Sequence, residues 1–511
     1  MPPRQAQTAI DRPTTIVTIL AKDRPGSCRY TSTSRPVGSL KSARCGLTDN
    51  AVFPWANCLS EPIPQRNDGG RGPGSVRILI LNQSYWPDVV ATAQQANDLA
   101  RYLARRGDRV SVVCSRSLYG RAGASLPAED TVDGVEIHRV SRNLFNKSGL
   151  VTRAIDYLRF NVACGFKALM LPRHDVVICL TTPPFIALIG LMLRAFKGTR
   201  FVCWTMDLYP DLPVEASIIR RNGFIHRFLS IFDLASLRGA DRVVTLGRCM
   251  RERVLAKGVD SSKIEMIHPW SDPEEIPELP ARRIELPGSG RPPADAHADA
   301  EYRPVPNPYR NEWSIGDRFV VEYSGNFGIG HDAQTVFGAM LLTKDDDGMR
   351  WVIVGGGIMR PAVEEFVRTH GIRNVLIKPY QPRSRLGSLI SLGDAHLVLM
   401  VPGFEGVILP SKLYGVLAAG RPAVFVGPKG SEIAQLIEEQ KCGMVIANGD
   451  SEGLVRALRE IRGNPALALE LGHRGRQALE QRYSMRHACE AWRRLIHGLV
   501  SDETKEEVRK D

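Results

Sequence analysis

The sequence predicts an α/β protein in which two doubly wound, Rossmann-like domains face a cleft. Three observations carry that prediction. Short, fully apolar runs alternate with helix-length segments, as parallel strands covered on both faces by helices require. The alternation occurs in two successive sets. Between them, residues 271–312 lose their periodicity and fill with prolines, in the manner of a linker carrying an insertion.

Residues 1–74 are rich in Pro, Arg, Ser, Thr and Gly without a sustained apolar period, and read as a disordered, dispensable extension. The first domain, 75–270, opens on the strand Val76–Leu81. Small and apolar residues at helical spacing then predict a helix over Ala93–Arg106, closed by Gly107, and Val110–Cys114 is the next strand. Further strands are predicted at Val176–Leu180, Arg200–Thr205 and Arg242–Leu246. The most apolar stretch, Val176–Phe196, is split by Thr181-Thr182-Pro183-Pro184 into a strand and a short helix, which suits a core better than a membrane span. The second domain, 313–484, carries strands at Phe319–Tyr323, Trp351–Val354, Val375–Ile377, His396–Val401 and Ala423–Val426. Residues 485–511 read as a helix to about Gly498 and a charged tail.

Composition narrows the function. With 43% hydrophobic and 24% charged residues, the chain has an ordinary globular balance and needs no covalent staple. Its ten cysteines are scattered without a CxxC pair, so neither a metal site nor a disulfide framework is indicated, and a reducing cytoplasm is expected. A net charge of +12 favours anionic partners. Basic residues are not interleaved with aromatics, so no nucleic acid is expected; phosphorylated substrates and an anionic membrane surface fit better. The amino terminus holds no signal-like apolar run, so the expected location is cytoplasmic, peripheral to the inner face of the plasma membrane.

Four segments carry candidate chemistry. In Glu405–Pro422, Pro410-Ser411 reads as a helix start with Ser411 as cap, Lys412 in an exposed first turn and Gly420 as the stop. A helix start with a lysine offers an anion both amide donors and charge; a plain loop-to-helix join with a surface lysine fits the same letters. Tyr323–Gly328 follows a strand, where Gly325, Asn326 and Gly328 permit close backbone approach. The helix after it favours an anion, and His331 stands at that helix's start. Gly355 and Gly356, in a glycine run after the next strand, lack dinucleotide spacing. Lys378 ends a strand facing the presumed cleft.

Taken in order, SYWPD, TTPP, Met206–Asp211, Pro269–Asp272, YSGNFGIGH, KPYQPR and GVILPSKLYGVLAAGRP resemble a bacterial family 4 glycosyltransferase of GT-B fold. The similarity is to the branch of exopolysaccharide, O-antigen and colanic-acid-type sugar transfer. It implies a nucleotide-diphospho-sugar donor on the second domain and a polyprenyl-diphosphate-linked or glycan acceptor on the first. It also implies retained stereochemistry and metal-independent transfer with no cofactor. Donor binding then falls to Gly325, Asn326, Gly328, His331, Gly355, Gly356, Lys378, Glu405, Pro410, Ser411 and Lys412. Stabilisation of the leaving diphosphate falls to Lys412, the Ser411 backbone and donors near Gly325–Gly328. Asp207 and Asp211, at a strand's carboxyl end, become candidates for acceptor binding or proton acceptance.

The sequence departs from the wider family at two places. The glutamates of its E-x7-E pattern fall on Val407 and Gly415, leaving Glu405 as a nearby substitute. Val89-Val90-Ala91 stand where relatives carry glycines. A 2-epimerase of the same fold, or a degenerate scaffold, would share these features. Finally, the basic-apolar segment Ser141–Arg173, extended by Ile218–Arg221 and Phe224-Ile225, is the candidate membrane contact.

Overall fold

The structure, a computed structural model, describes residues 75–118, 121–142, 150–276 and 307–508. The expected extension 1–74 and residues 277–306 of the expected linker lie outside the described residues, as do 143–149 of the basic segment.

The first domain is built on strands β1 (Arg77–Leu81), β2 (Arg109–Ser115), β5 (Glu129–Val132), β6 (Val135–Val140), β7 (Val176–Leu180), β8 (Arg200–Trp204), β9 (Arg242–Thr245) and β10 (Ile264–Met266). A small antiparallel pair, β3 (Ser117–Leu118) with β4 (Arg121–Ser125), branches off after β2. The sheet runs β10-β9-β8-β7-β1-β2-β6-β5, parallel except for β5, which pairs antiparallel with β6. The second domain holds β11 (Phe319–Ser324), β12 (Met349–Val354), β13 (Val375–Lys378), β14 (Ala395–Leu399), β15 (Ala423–Val426) and β16 (Gly443–Ile446). Its order is β13-β12-β11-β14-β15-β16, all parallel. In both sheets the central strands are buried and mostly apolar because helices cover both faces, with Glu322 in β11 and His396 in β14 as buried polar exceptions.

Strands β5, β6, β10 and β16 are not predicted by the apolar-run criterion. In β6, VEIHRV, buried Val135 and Ile137 alternate with polar residues, and β5, β10 and β16 are short edge strands. The second domain begins earlier than position 313. Asn307 caps a helix over Pro308–Glu312 by accepting from the Tyr309 amide at 3.0 Å. Tyr309 then packs at a tilt on Trp313, 4.3 Å between centroids, against the face of the sheet formed by Val320 and Val352.

The carboxyl-terminal segment corrects two expectations. Its helix runs Met485–Val508, through the charged stretch read as a tail. It also returns to the first domain: Trp492 packs 4.6 Å from Trp204, which stacks on Trp270 at 5.9 Å. Buried rings of this size each remove roughly 150–250 Å² from water, so this helix is part of the first domain's core.

Backbone and side-chain bonds join the two sheets across the cleft. The Leu208 amide donates to the Val407 carbonyl at 3.0 Å. Arg253, on the Arg248–Ala256 helix, donates to the carbonyls of Glu405 at 2.5 Å and Gly403 at 2.8 Å. Arg248 pairs with Glu432 at 3.2 Å.

Candidate active site

In the second sheet, the strand order reverses direction between β11 and β14. Successive loops leave these two strands on opposite sides, opening a crevice at their carboxyl ends, where doubly wound sheets take their ligands. Gly325 follows β11, and the chain after β14 leads through Glu405 and Pro410 to the helix Lys412–Ala418. The topology therefore brings together segments almost ninety positions apart.

Lys412 is the centre of that crevice. Its ammonium sits 3.4 Å from the centroid of the Tyr323 ring, and a methyl on Gly325 would lie 3.8 Å from its nitrogen. The nitrogen is sealed from solvent and has no hydrogen-bond partner among the described residues. Burial holds the amine well below the usual lysine range. The expected exposed lysine is thus an enclosed one, because the β11 loop folds over it. The ring face offers a cation only a fraction of what a counter-ion would. A charge so placed is costly unless an anion joins it.

His331 stands beside it. Its Nδ1 lies 3.0 Å from the Gly328 amide nitrogen and 3.1 Å from the Gly328 carbonyl oxygen, so the ring is held by its own loop. Burial, with Lys412 nearby, pushes its pKa down to about 3, so the imidazole is neutral.

The glycine segments serve mostly to bring the strand ends together. Gly355 has φ +126°, and a side chain there would meet the Gly325 carbonyl oxygen at 2.1 Å; one on Gly357 would meet that of Phe327 at 2.3 Å. The same contacts consume donors. The amides of Gly325, Phe327 and Gly328 bond to Val354, Gly356 and His331, and that of Gly355 bonds to Lys378. They are therefore not available to a leaving group, contrary to expectation. Nor is the helix start after His331 vacant: Asp332 caps it, accepting from the Thr335 amide at 3.0 Å.

The remaining predicted donor contacts are spread out. Asn326 is exposed, and Gly356 lies against the Tyr380 ring. Lys378 places its ammonium 5.5 Å from the centroid of Trp313, away from Lys412. Glu405 turns back to accept the Gly403 amide at 2.7 Å, so its carboxylate braces its own loop. Pro410 is buried at the helix entrance, and Ser411 makes no side-chain capping bond, since its backbone is already helical. Lys412, Gly325 and His331 come together; Lys378 and the Glu405 carboxylate do not join them.

On the first domain the two aspartates separate. Asp211 bonds Lys257 at 2.5 Å, and Lys257 also holds Asp233 at 2.7 Å. Its carboxylate is thus engaged within the folded chain. Asp207 has no ion pair among the described residues. Burial pushes its carboxyl up to about 6. It lines a small hollow with Thr181, Phe185, Tyr209 and Leu237, at the ends of β7 and β8. Thr181 Oγ1 accepts the Asp207 amide at 3.0 Å and fixes the loop. Among the described residues no group of three or more His, Cys, Asp or Glu could hold a metal ion.

Residues 91–270 match the glycosyl transferase 4-like domain family. The chain is 24% identical over 397 residues to the colanic acid biosynthesis glycosyl transferase WcaI of Escherichia coli K12, covering 75% of this chain and 92% of that one. The chain is a glycosyltransferase, and its similarities support a place in bacterial family 4. Its fold is GT-B. Sucrose-phosphate synthase from Thermosynechococcus elongatus superposes with a TM-score of 0.63 at 15% identity, over 83% of this chain and 99% of that one. Anabaena HepE in complex with UDP and glucose does so at 0.58 and 12%, over 82% and 99%.

Within the transferase, the two departures from the family pattern have distinct settings. Val407 is buried and spends its carbonyl on Leu208. At Gly415 a side-chain carbon would meet nothing closer than Ile276 at 3.9 Å, so the missing acid leaves open space. Sequence reading misses Arg253, which clasps the Glu405 loop from the other domain; its partners lie about 150 positions away and no local pattern marks them.

Proposed function

We propose that this glycosyltransferase takes its sugar from a nucleotide-diphospho-sugar held by the second domain and passes it, with retention, to a lipid-linked acceptor on the first. The enclosed Lys412 amine, with no acidic partner among the described residues, carries this reading. A diphosphate supplies the anion that site lacks, and its charge grows as the bond from the sugar carbon to the phosphate oxygen breaks. The neutral His331 imidazole beside Lys412 is a second polar group for the same diphosphate. The bond that forms joins the sugar to an acceptor hydroxyl, whose proton goes to Asp207. A carboxylate with its pKa near 6 is well matched to that task at neutral pH. The UDP in HepE's complex supports a nucleotide donor, and WcaI's part in colanic acid biosynthesis supports a cell-surface polysaccharide as destination.

The acceptor's lipid anchor requires a membrane surface. No helix among the described residues is long and apolar enough to cross a membrane. The helix Leu150–Met170, however, exposes Val151, Leu158, Val162 and Phe166 along one face, with Arg153 and Arg159 exposed beside them. Apolar side chains rimmed by arginine suit an anionic leaflet, at roughly 1 kcal/mol per well-placed basic residue.

A screen of radiolabelled nucleotide sugars with membranes that hold lipid-linked intermediates tests the reading. One donor should yield organic-extractable label that requires enzyme. Release of free sugar alone, or of an epimerised donor with no transfer, would overturn it.

A further inference from the structure

The hollow beside Asp207 is continuous with a row of aromatic rings that leads to the protein surface. The helix Phe224–Gly239 carries Phe224, Phe228 and Phe232 at four-residue spacing, hence on one face. Phe224 stacks on Phe228 with centroids 6.4 Å apart, and Phe228 meets Phe232 edge-on at 5.1 Å. Phe232 in turn meets Phe185 edge-on at 5.8 Å, and Phe185 lines the hollow. Exposure falls along the row, from 85% at Phe224 to 50% at Phe228, with Phe232 and Phe185 partly buried.

Two features argue that the row is built for a ligand. Phe185 has φ +70°, a left-handed conformation that bulky residues rarely adopt, and it turns this ring into the row just after the Pro183-Pro184 turn. The outer rings stay in water although the same helix buries Ser236 and Leu237 at its other end. Arg220, Arg221 and Arg227 are exposed on the segment that carries the outer rings, Arg221 being paired with Glu215, so the chain there is basic while the ring row is apolar.

We infer that this row is the track for the hydrocarbon tail of the acceptor, its anionic head lying among the arginines and its sugar reaching Asp207. The inference rests on the proposal that the acceptor is lipid-linked. The tail would lie over rings that are otherwise wetted, and aromatic faces pack methyl-branched chains well. The Leu150–Met170 face would hold the bilayer, a separate task on a different helix that also packs against Ala187–Lys197.

The test uses tritiated farnesyl phosphate bearing a diazirine, with saturating UDP present to occupy the donor crevice. Photolabelling of the full chain followed by peptide mapping should place label at Phe185 and within 224–232. Phe224→Ser with Phe228→Ser, both exposed sites, should weaken farnesyl phosphate binding at least tenfold, with UDP affinity and melting temperature unchanged. Val162→Ser with Phe166→Ser should instead weaken binding to phosphatidylglycerol vesicles and leave farnesyl phosphate binding intact. Label spread equally over both helices, or no binding at all by the wild-type protein, would overturn the track. Wild-type rates of transfer to lipid-linked acceptor in the Phe224/Phe228 variant would also overturn it alone. Failure of the wild-type protein to transfer to any lipid acceptor would instead overturn the function on which it rests.

Discussion

Two lysines, one in each domain, are both largely withdrawn from water, and their settings differ in a way that separates structure from function. Lys257 lies between Asp211 and Asp233, at 2.5 and 2.7 Å, and the two carboxylates raise its affinity for a proton. Lys412 has a phenol ring at 3.4 Å and no carboxylate, and burial alone lowers its affinity for a proton. The first site is complete within the folded chain. The second is complete only when something negative arrives. An enclosed charge with its partners supplied is a brace, whereas an enclosed charge without them is a binding site waiting for its ligand.

The largest expected effect breaks this comparison from the structural side. Lys257→Met should cost about 3–5 kcal/mol of stability, because it strands two carboxylates in a low-dielectric setting. Lys412→Met should cost nothing or add stability, since it removes a charge that burial disfavours. Thermal and denaturant melts of the two variants, side by side, check this. Equal losses would erase the distinction.

Asp207 sharpens the comparison, being the first domain's own unbalanced charge. Its folded pKa of about 6 lies above the ordinary 3.8, so the folded chain binds that proton more tightly than the unfolded one. Stability is therefore lost as pH rises from about 3.8 to about 6, and the penalty is fully present above it. Asp207→Asn should lift it, raising stability at pH 7.5 by on the order of 3 kcal/mol at most, while transfer collapses. Turnover of the wild-type protein should fall as pH drops below about 6, where the carboxylate gains its proton. A variant that keeps its rate would make Asp207 a bystander.

These contrasts also show what the sequence could convey. Central strands such as RILIL and VVICL are apolar on both faces and declare themselves, so the class and the two-domain plan were legible. The edge strands and the return of Trp492 to Trp204 were not, since pairing at an edge and packing at long range leave no local period. The convergence of Gly325, His331 and Lys412 followed from motif order. The enclosure of Lys412 did not, because a lysine after Pro-Ser has the pattern of an exposed first turn until the β11 loop is laid over it. Asp211 misled for the same reason: its partner Lys257 lies 46 positions away.

The central claim is that the donor's diphosphate completes the Lys412 site, and proton uptake tests it most directly. Without ligand, burial depresses the amine's pKa, and an adjacent anion raises it again, so binding and proton uptake are coupled. Calorimetric titration of UDP at pH 8, where the nucleotide is already fully ionised, should be repeated in buffers of different ionisation enthalpy. The account predicts net uptake by the wild-type protein, its loss in Lys412→Met, and a UDP affinity that weakens as pH rises. Proton uptake and affinity that are the same in the two proteins would contradict it.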